Sequence, residues 1–176
     1  MENIKLIKAS IKDIDTLQQI GRKTFFETFA SSNTEADMKK YLDDHFNQEK
    51  LSLEVNHPES LFYIAWDEQN PVGYLKVNTG RAQTELQDDS SLEIERIYVL
   101  SSYHGKKVGQ LLYEKALETA LLLKKSAIWL GVWEENPRAI KFYTKNGFVA
   151  FDQHIFKMGD DEQIDIMMRK NLNITA

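Results

Sequence analysis

Residues 91–114, SLEIERIYVLSSYHGKKVGQLLYE, carry a pattern suited to binding an anion. Leu92, Ile94, Ile97, Tyr98, Val99 and Leu100 read as a strand. Residues 101–107 form a short polar loop around Gly105, and an amphipathic helix follows at Gly109. The first backbone N–H groups of a helix have no partner inside it, and the positive end of the macrodipole lies behind them. A loop holding His104, Gly105, Lys106 and Lys107 that leads through Val108 and Gly109 to Gln110 therefore suits a phosphate or pyrophosphate. The plainer alternative is an ordinary strand–helix connection with solvated lysines. G-x-x-x-x-G-K-[ST] is absent, and Gly105 and Gly109 are spaced G-x-x-x-G rather than G-x-G-x-x-G.

A second constellation follows at residues 133–148, WEENPRAIKFYTKNGF. Asn136 and Pro137 read as the N-cap and first position of a helix, and Gly147 as the glycine after its end. Taken singly, Asn136 is a cap, Tyr143 a half-buried aromatic and Lys145 a solvated helix end.

Placing these segments requires a sheet. The periodicity predicts a strand at Ile4–Ile7 and helices over 13–29, 34–46 and 48–55. A hairpin follows, with strands over 61–66 and 72–77 and a turn at 67–71. Residues 81–91 are polar and acidic. The helix after Gly109 carries an apolar stripe of Val108, Leu112, Ala116, Ala120 and Leu123. Strands are expected over 126–133, 148–156 and 164–169. The expected fold class is α/β: one domain over residues 1–172 with a mixed, mostly antiparallel sheet and helices on both faces, then a tail at 173–176. The 176 residues contain no cysteine, which excludes disulfides, thiolate metal sites and a cysteine nucleophile. A net charge of −5 argues against broad nucleic-acid binding and fits a small cationic partner. No apolar run is long enough to span a bilayer, and the first residues do not read as a signal peptide, so a cytoplasmic protein without a membrane anchor is expected.

The two constellations together resemble the GCN5-related N-acetyltransferase (GNAT) superfamily. Its Q/R-x-x-G-x-G/A segment aligns with residues 104–109. His104 stands where Gln or Arg is usual and Lys107 where Gly is usual; Lys107 keeps a backbone N–H for phosphate provided that its φ is negative. The pattern N-x-x-A-x-x-F/Y-Y-x-x-x-G-F aligns without a gap on Asn136, Ala139, Phe142, Tyr143, Gly147 and Phe148. SLEIERIYV, IWLGVWE and MGDDEQIDIMM resemble the PaiA-type polyamine acetyltransferases, described as acetylating spermidine and spermine.

The resemblance implies acetyl-CoA as cosubstrate and no metal. It places the pantetheine along Ile97, Tyr98 and Val99 as an added strand, with Asn136 and Ala139 on the same arm. It places the pyrophosphate on the amides of residues 106–110, with Arg138 and Lys145 near the nucleotide phosphates. The acceptor amine needs a base, and either Glu93 or Glu95 is a candidate, since both fall on one strand face. Tyr143 matches the family's general acid for the departing thiolate. Direct transfer in a ternary complex is expected. Phe29, Tyr41 and Glu93 are the expected acceptor contacts, with Phe25, Phe26 and His45 as further candidates. The acidic residues Glu85, Asp88, Asp89, Glu93 and Glu95 suit the rim of a polycation site. A protein N-terminus, an amino acid, an aminoglycoside and a non-catalytic acetyl-CoA sensor remain as alternatives. So do monomer and homodimer.

Overall fold

The structure, a computed structural model, describes residues 3–173; residues 174–176 of the expected tail lie outside the described residues. The elements run β1 (Ile4–Lys8), α1 (Ile14–Phe29), α2 (Glu35–His45), α3 (Gln48–Asn56), β2 (Ser60–Asp67), β3 (Asn70–Asn78), β4 (Ser91–Val99), α4 (Val108–Leu122), β5 (Ala127–Trp133), α5 (Pro137–Lys145), β6 (Val149–Met158) and β7 (Asp161–Asn171). The strands form one sheet in the order β1-β2-β3-β4-β5-β7-β6. Every neighbouring pair is antiparallel except β4 and β5.

Alternation along the strands divides the core between two helical layers. Leu61 and Tyr63 of β2 join the core beneath α4, whereas Phe62 and Ile64 pack on the other face with Leu17 and Ile20 of α1. Val108, Leu112, Ala116 and Ala120 of α4 are buried against Leu92, Ile94, Ile128 and Leu130. A wholly buried leucine such as Leu112 contributes about 2 kcal/mol. The expected fifth member of that stripe, Leu123, is 47% exposed, because α4 ends at Leu122 and the chain turns away. The expected 67–71 turn is tighter than its composition suggested: Asp67 pairs with Asn70, and Pro71 lies within β3 opposite Trp66, beside a register shift.

The centre of the sheet carries an irregularity with consequences for both faces. Lys76 of β3 pairs with Arg96, but the next residue, Val77, pairs with Ile94, so Glu95 is an extra residue in β4. Before this bulge, Leu92 and Ile94 face α4; after it, Ile97 and Val99 do. Were β4 to continue from Ile94 as a regular strand, Arg96 and Tyr98 would point into that apolar core. The parallel pairing of β4 with β5 runs only from Ser91–Ala127 to Ile94–Leu130 and stops at the bulge. Leu100 N–H donates to the Val72 carbonyl on β3 at 2.9 Å. By alternation, the backbone polar groups of Ile97 and Val99 face the opposite way, into the gap where β5 has parted from β4.

Lys107, just before α4, has φ +66° and ψ 8°, so the condition of a negative φ is not met. The loop doubles back into the helix at this residue, and the left-handed conformation costs a side-chain-bearing residue about 1 kcal/mol. Lys107→Gly is therefore expected to give a urea midpoint at or above the parent's, the relieved strain being partly offset by the freer unfolded chain. Lys107→Val, β-branched at positive φ, is expected to lose more than about 1 kcal/mol in the same titration.

Candidate active site

The loop and α4 build one half of the site. No side chain caps α4, and its first intrahelical bond is Leu111 N–H to the Lys107 carbonyl at 3.1 Å. The N–H groups of Val108, Gly109 and Gln110 precede that bond and point out of the helix end. Gly105, at φ +80°, has open space where a Cβ would stand. At Gly109 a Cβ would meet only Val99 and Phe142, at 3.9 and 4.0 Å. The Val108 side chain is buried in the core, so this residue offers its backbone alone. The Lys106 ammonium lies 4.5 Å from the centre of the Tyr103 ring. His104 Nε2 pairs with the Val99 carbonyl at 2.9 Å, and its Nδ1 contacts the Arg138 guanidinium. A carbonyl accepts, so Nε2 carries the proton and Nδ1 receives from Arg138.

α5 borders this loop along its length. Arg138, in its first turn, reaches His104, while Asn146, just past Lys145, exchanges two amide hydrogen bonds with Gln110 at 3.0 and 3.2 Å. Arg138 thus flanks the loop, and Lys145 is exposed in the last turn of the same helix. Asn136 Oδ1 accepts from Ala139 N–H at 3.2 Å, the cap expected from sequence.

Between the parted strands lies a cavity of about 70 Å³, lined among others by Ile97, Tyr98, Val132, Asn136, Ala139 and Tyr143. Tyr143 is 6% exposed and meets Phe142 and Phe148 edge-on. Burial pushes its phenol well above the ordinary tyrosine range.

A larger cavity of about 370 Å³ lies on the α1–α2 side of the sheet and shares Phe29, Ile94, Glu95, Tyr98, Gly131 and Trp133 with the small one. Its aromatic wall is continuous. Phe25 stacks on Phe29 and on Tyr41, each at 4.5 Å between ring centres, and Phe29 meets Trp133 at 5.0 Å. Phe29, Tyr41, Phe25 and His45 therefore line it as expected, but Phe26 does not: it is 50% exposed on the outer side of α1.

Glu93 and Glu95 both face this cavity, and Asn78 Nδ2 donates to both, at 2.9 and 2.8 Å. Their surroundings differ. Glu95 lies 2.5 Å from Lys76 Nζ and 3.8 Å from Arg96, which in turn share Glu54 at 3.2 and 3.0 Å. Burial alone would raise its pKa, but the charges of Arg96 and Lys76 outweigh burial and lower it. Glu93 is 2% exposed and is held by neutral donors: the Thr84 N–H at 2.9 Å, the Thr84 hydroxyl and Asn78. Burial prevails there and raises its pKa.

The expected acidic rim is only partly assembled. Glu85 and Glu93 reach the cavity, but Asp88 accepts from the N–H groups of Ser90 and Ser91 at 2.9 and 2.8 Å and serves its own turn. The Asp89 carbonyl accepts from Lys125, away from the cavity. Glu54, Asp165, His154 and Arg96 line it instead, none of which the sequence singled out. Asp165 and His154 fall at paired positions of β7 and β6, a juxtaposition that becomes visible only with the hairpin register.

The arrangement fits acetyl-CoA. The outward amides of residues 108–110 with nearby cations suit its pyrophosphate, and the inner edge of β4, which β5 leaves beyond Ile94 and on which His104 holds the Val99 carbonyl, suits an extended amide-bearing arm. No group of side chains suited to a metal occurs among the described residues. The acetyltransferase (GNAT) family model matches residues 22–148. An uncharacterised N-acetyltransferase from the pepI 3′ region of Lactobacillus delbrueckii subsp. lactis is 40% identical over 98% of this chain and 99% of its own. A spermidine N(1)-acetyltransferase of Thermoplasma acidophilum is 27% identical over 96% of this chain and 97% of its own. Among solved structures, the PaiA N-acetyltransferase of Thermoplasma acidophilum in complex with coenzyme A shares the fold, with a TM-score of 0.80, 24% identity and coverage of 97% of this chain and 99% of its own. The sheet, the parted strands and the loop before α4 thus belong to a known kind of enzyme: the chain is a member of the acetyltransferase (GNAT) family, an acetyl-CoA-dependent N-acetyltransferase.

Proposed function

We propose that the protein acetylates a polyamine of the spermidine or spermine class by direct transfer within a ternary complex. The observation that carries this reading is the charge of the larger cavity. Glu54 and Glu95 are matched by Lys76 and Arg96, which leaves three carboxylates, Glu85, Glu93 and Asp165, against the ammonium of Lys50, held on His45, in an aromatic-walled space adjoining Tyr143. Such a space favours a slender aliphatic chain with more than one ammonium. The similarity to the Thermoplasma acidophilum spermidine acetyltransferase supports the same class.

Glu93 is the base in this reading. A primary ammonium has a pKa of about 10.4, so freeing its lone pair at pH 7.4 costs about 4 kcal/mol. Glu93, buried and held by neutral donors, accepts that proton more readily than Glu95, whose negative charge is stabilised by Lys76 and Arg96. Tyr143 hydrogen-bonds the departing sulfur and supplies its proton. Burial raises the phenol, but it also disfavours a bare thiolate in the same slot, which narrows the gap between donor and acceptor. The sequence contains no cysteine to carry an acetyl group.

Incubation with acetyl-CoA and a panel of amines, following free thiol, is expected to give the highest kcat/KM for spermidine or spermine; a preference for an amino acid or an N-terminal peptide would overturn the reading. Tyr143→Phe is expected to lower turnover at least about tenfold while calorimetric affinity for acetyl-CoA stays near the parent's. Glu93→Gln is expected to lower kcat/KM about 100-fold. Activity requires Glu93 ionised, so activity falls as pH drops through its raised pKa; the acid limb of the parent's profile lies above the usual carboxylate range and disappears in Glu93→Gln. Glu95→Gln leaves Lys76 and Arg96 short of a counter-charge, and its main effect is a loss of about 3 kcal/mol or more in chemical denaturation.

A further inference from the structure

β5 reads Trp129-Leu130-Gly131-Val132-Trp133, and alternation turns Trp129, Gly131 and Trp133 toward the larger cavity. Gly131 leaves a gap between the two indoles. A Cβ there would stand 3.2 Å from His154 Cε1 and 3.5 Å from Asp165 Oδ2, so the missing side chain is what lets this pair face the cavity. His154 of β6 is directly opposite Asp165 of β7 in register. Its Nε2 lies 3.4 Å from Asp165 Oδ2 and its Nδ1 3.4 Å from Glu85 Oε1. Nδ1 is buried and, despite that proximity, forms no hydrogen bond among the described residues.

Resting on the polyamine reading above, we propose that Glu85, His154 and Asp165 form the subsite for the second, non-reacting ammonium of the acceptor, and that the proton on His154 switches this subsite off. Other titratable and charged groups also face the cavity. Glu93 of β4 is tied to the Glu85 loop through Thr84; Tyr41 and His45 of α2 and Lys50 of α3 line the cavity from the helical layer; Glu95 and Arg96 are in the ion-pair network. A protonated imidazole between Glu85 and Asp165 pairs with them and cancels one of their two charges. A neutral imidazole leaves both to attract an ammonium, so selection of a polyamine over a monoamine strengthens as the imidazole loses its proton. Asp165 has a pKa raised by burial, with Glu85 adding to the rise and His154 opposing it, which is consistent with a close charge cluster.

The test is the ratio of kcat/KM for spermidine to kcat/KM for propylamine, measured from pH 5.5 to 8.5. Both substrates react at a primary amine, so the base role of Glu93 cancels in the ratio, and the change in its charge is common to the parent and His154→Gln. The ratio is expected to rise at least fivefold with pH in the parent and to lose most of that rise in His154→Gln, with thermal midpoints recorded for both. Glu85→Gln, a change in an exposed loop, is expected to lower the ratio at high pH at least threefold and serves if His154→Gln does not fold. A pH-independent ratio that favours spermidine in the parent, or the same rise in His154→Gln or Glu85→Gln as in the parent, would overturn the switch and leave the polyamine reading standing. Equal rates for spermidine and propylamine at every pH, or turnover of neither, would overturn both.

Discussion

The extra residue in β4 is the constraint on which the rest of the structure depends. A strand presents alternate residues to opposite faces, so one insertion reverses the assignment of everything beyond it. Here it keeps Ile97 and Val99 on the apolar side while sending Arg96 and Tyr98 to the acceptor side. It also coincides with the end of pairing between β4 and β5, and so opens the cavity on which Tyr143 borders. The chemistry requires a cofactor arm, an acid and a base to meet at one point. In the proposed mechanism they meet where the parted strands leave a path through the sheet, between the α4–α5 layer and the α1–α2 layer.

Two carboxylates on one stretch of strand have been given opposite characters by their neighbours. Glu95 is surrounded by cations and Glu93 by neutral donors, although both are bonded to the same amide of Asn78. The bulge makes this separation possible, because Glu95 and Arg96 emerge consecutively on the same side and pair there. A regular strand would place the guanidinium across the sheet from the carboxylate. The buried cations therefore serve Glu95 and Glu54, and the basicity of Glu93 is left to desolvation.

Much of this was legible in the sequence because it is local. The α5 boundaries, the Asn136 cap, the loop glycine and the inner stripe of α4 as far as Ala120 follow from spacing and capping residues, and the resemblance to acetyltransferases rested on those segments. The bulge also left a trace: apolar residues at 92 and 94 followed by 97 and 99 mark a change of phase that a continuous apolar reading of the strand concealed. The positive φ of Lys107 left none, since lysine does not announce that conformation. Asp165 and His154 were missed because their significance lies in a hairpin register and in the absent side chain of Gly131 on a third strand. Asp88 and Asp89 lie off the cavity, and an acidic run does not say which of its members face it: the Asp88 carboxylate is engaged by its own turn, and the Asp89 backbone carbonyl accepts from Lys125.

The two halves of the site are fastened by different physics. α4 and α5 are joined beside the anion loop by the reciprocal amides of Gln110 and Asn146, a contact with no formal charge. The larger cavity joins buried ion pairs among Lys76, Arg96, Glu54 and Glu95 to the more exposed carboxylate of Glu85, and only the latter responds strongly to its ionic surroundings. Dissolved salt weakens exposed charges within about one Debye length but barely affects a pair of neutral amides. The spacing between α4 and α5 is therefore insulated from the medium, and in the proposed reading the enzyme meets changing ionic strength with a fixed cofactor frame and a reach for its second substrate that is adjusted at the exposed rim.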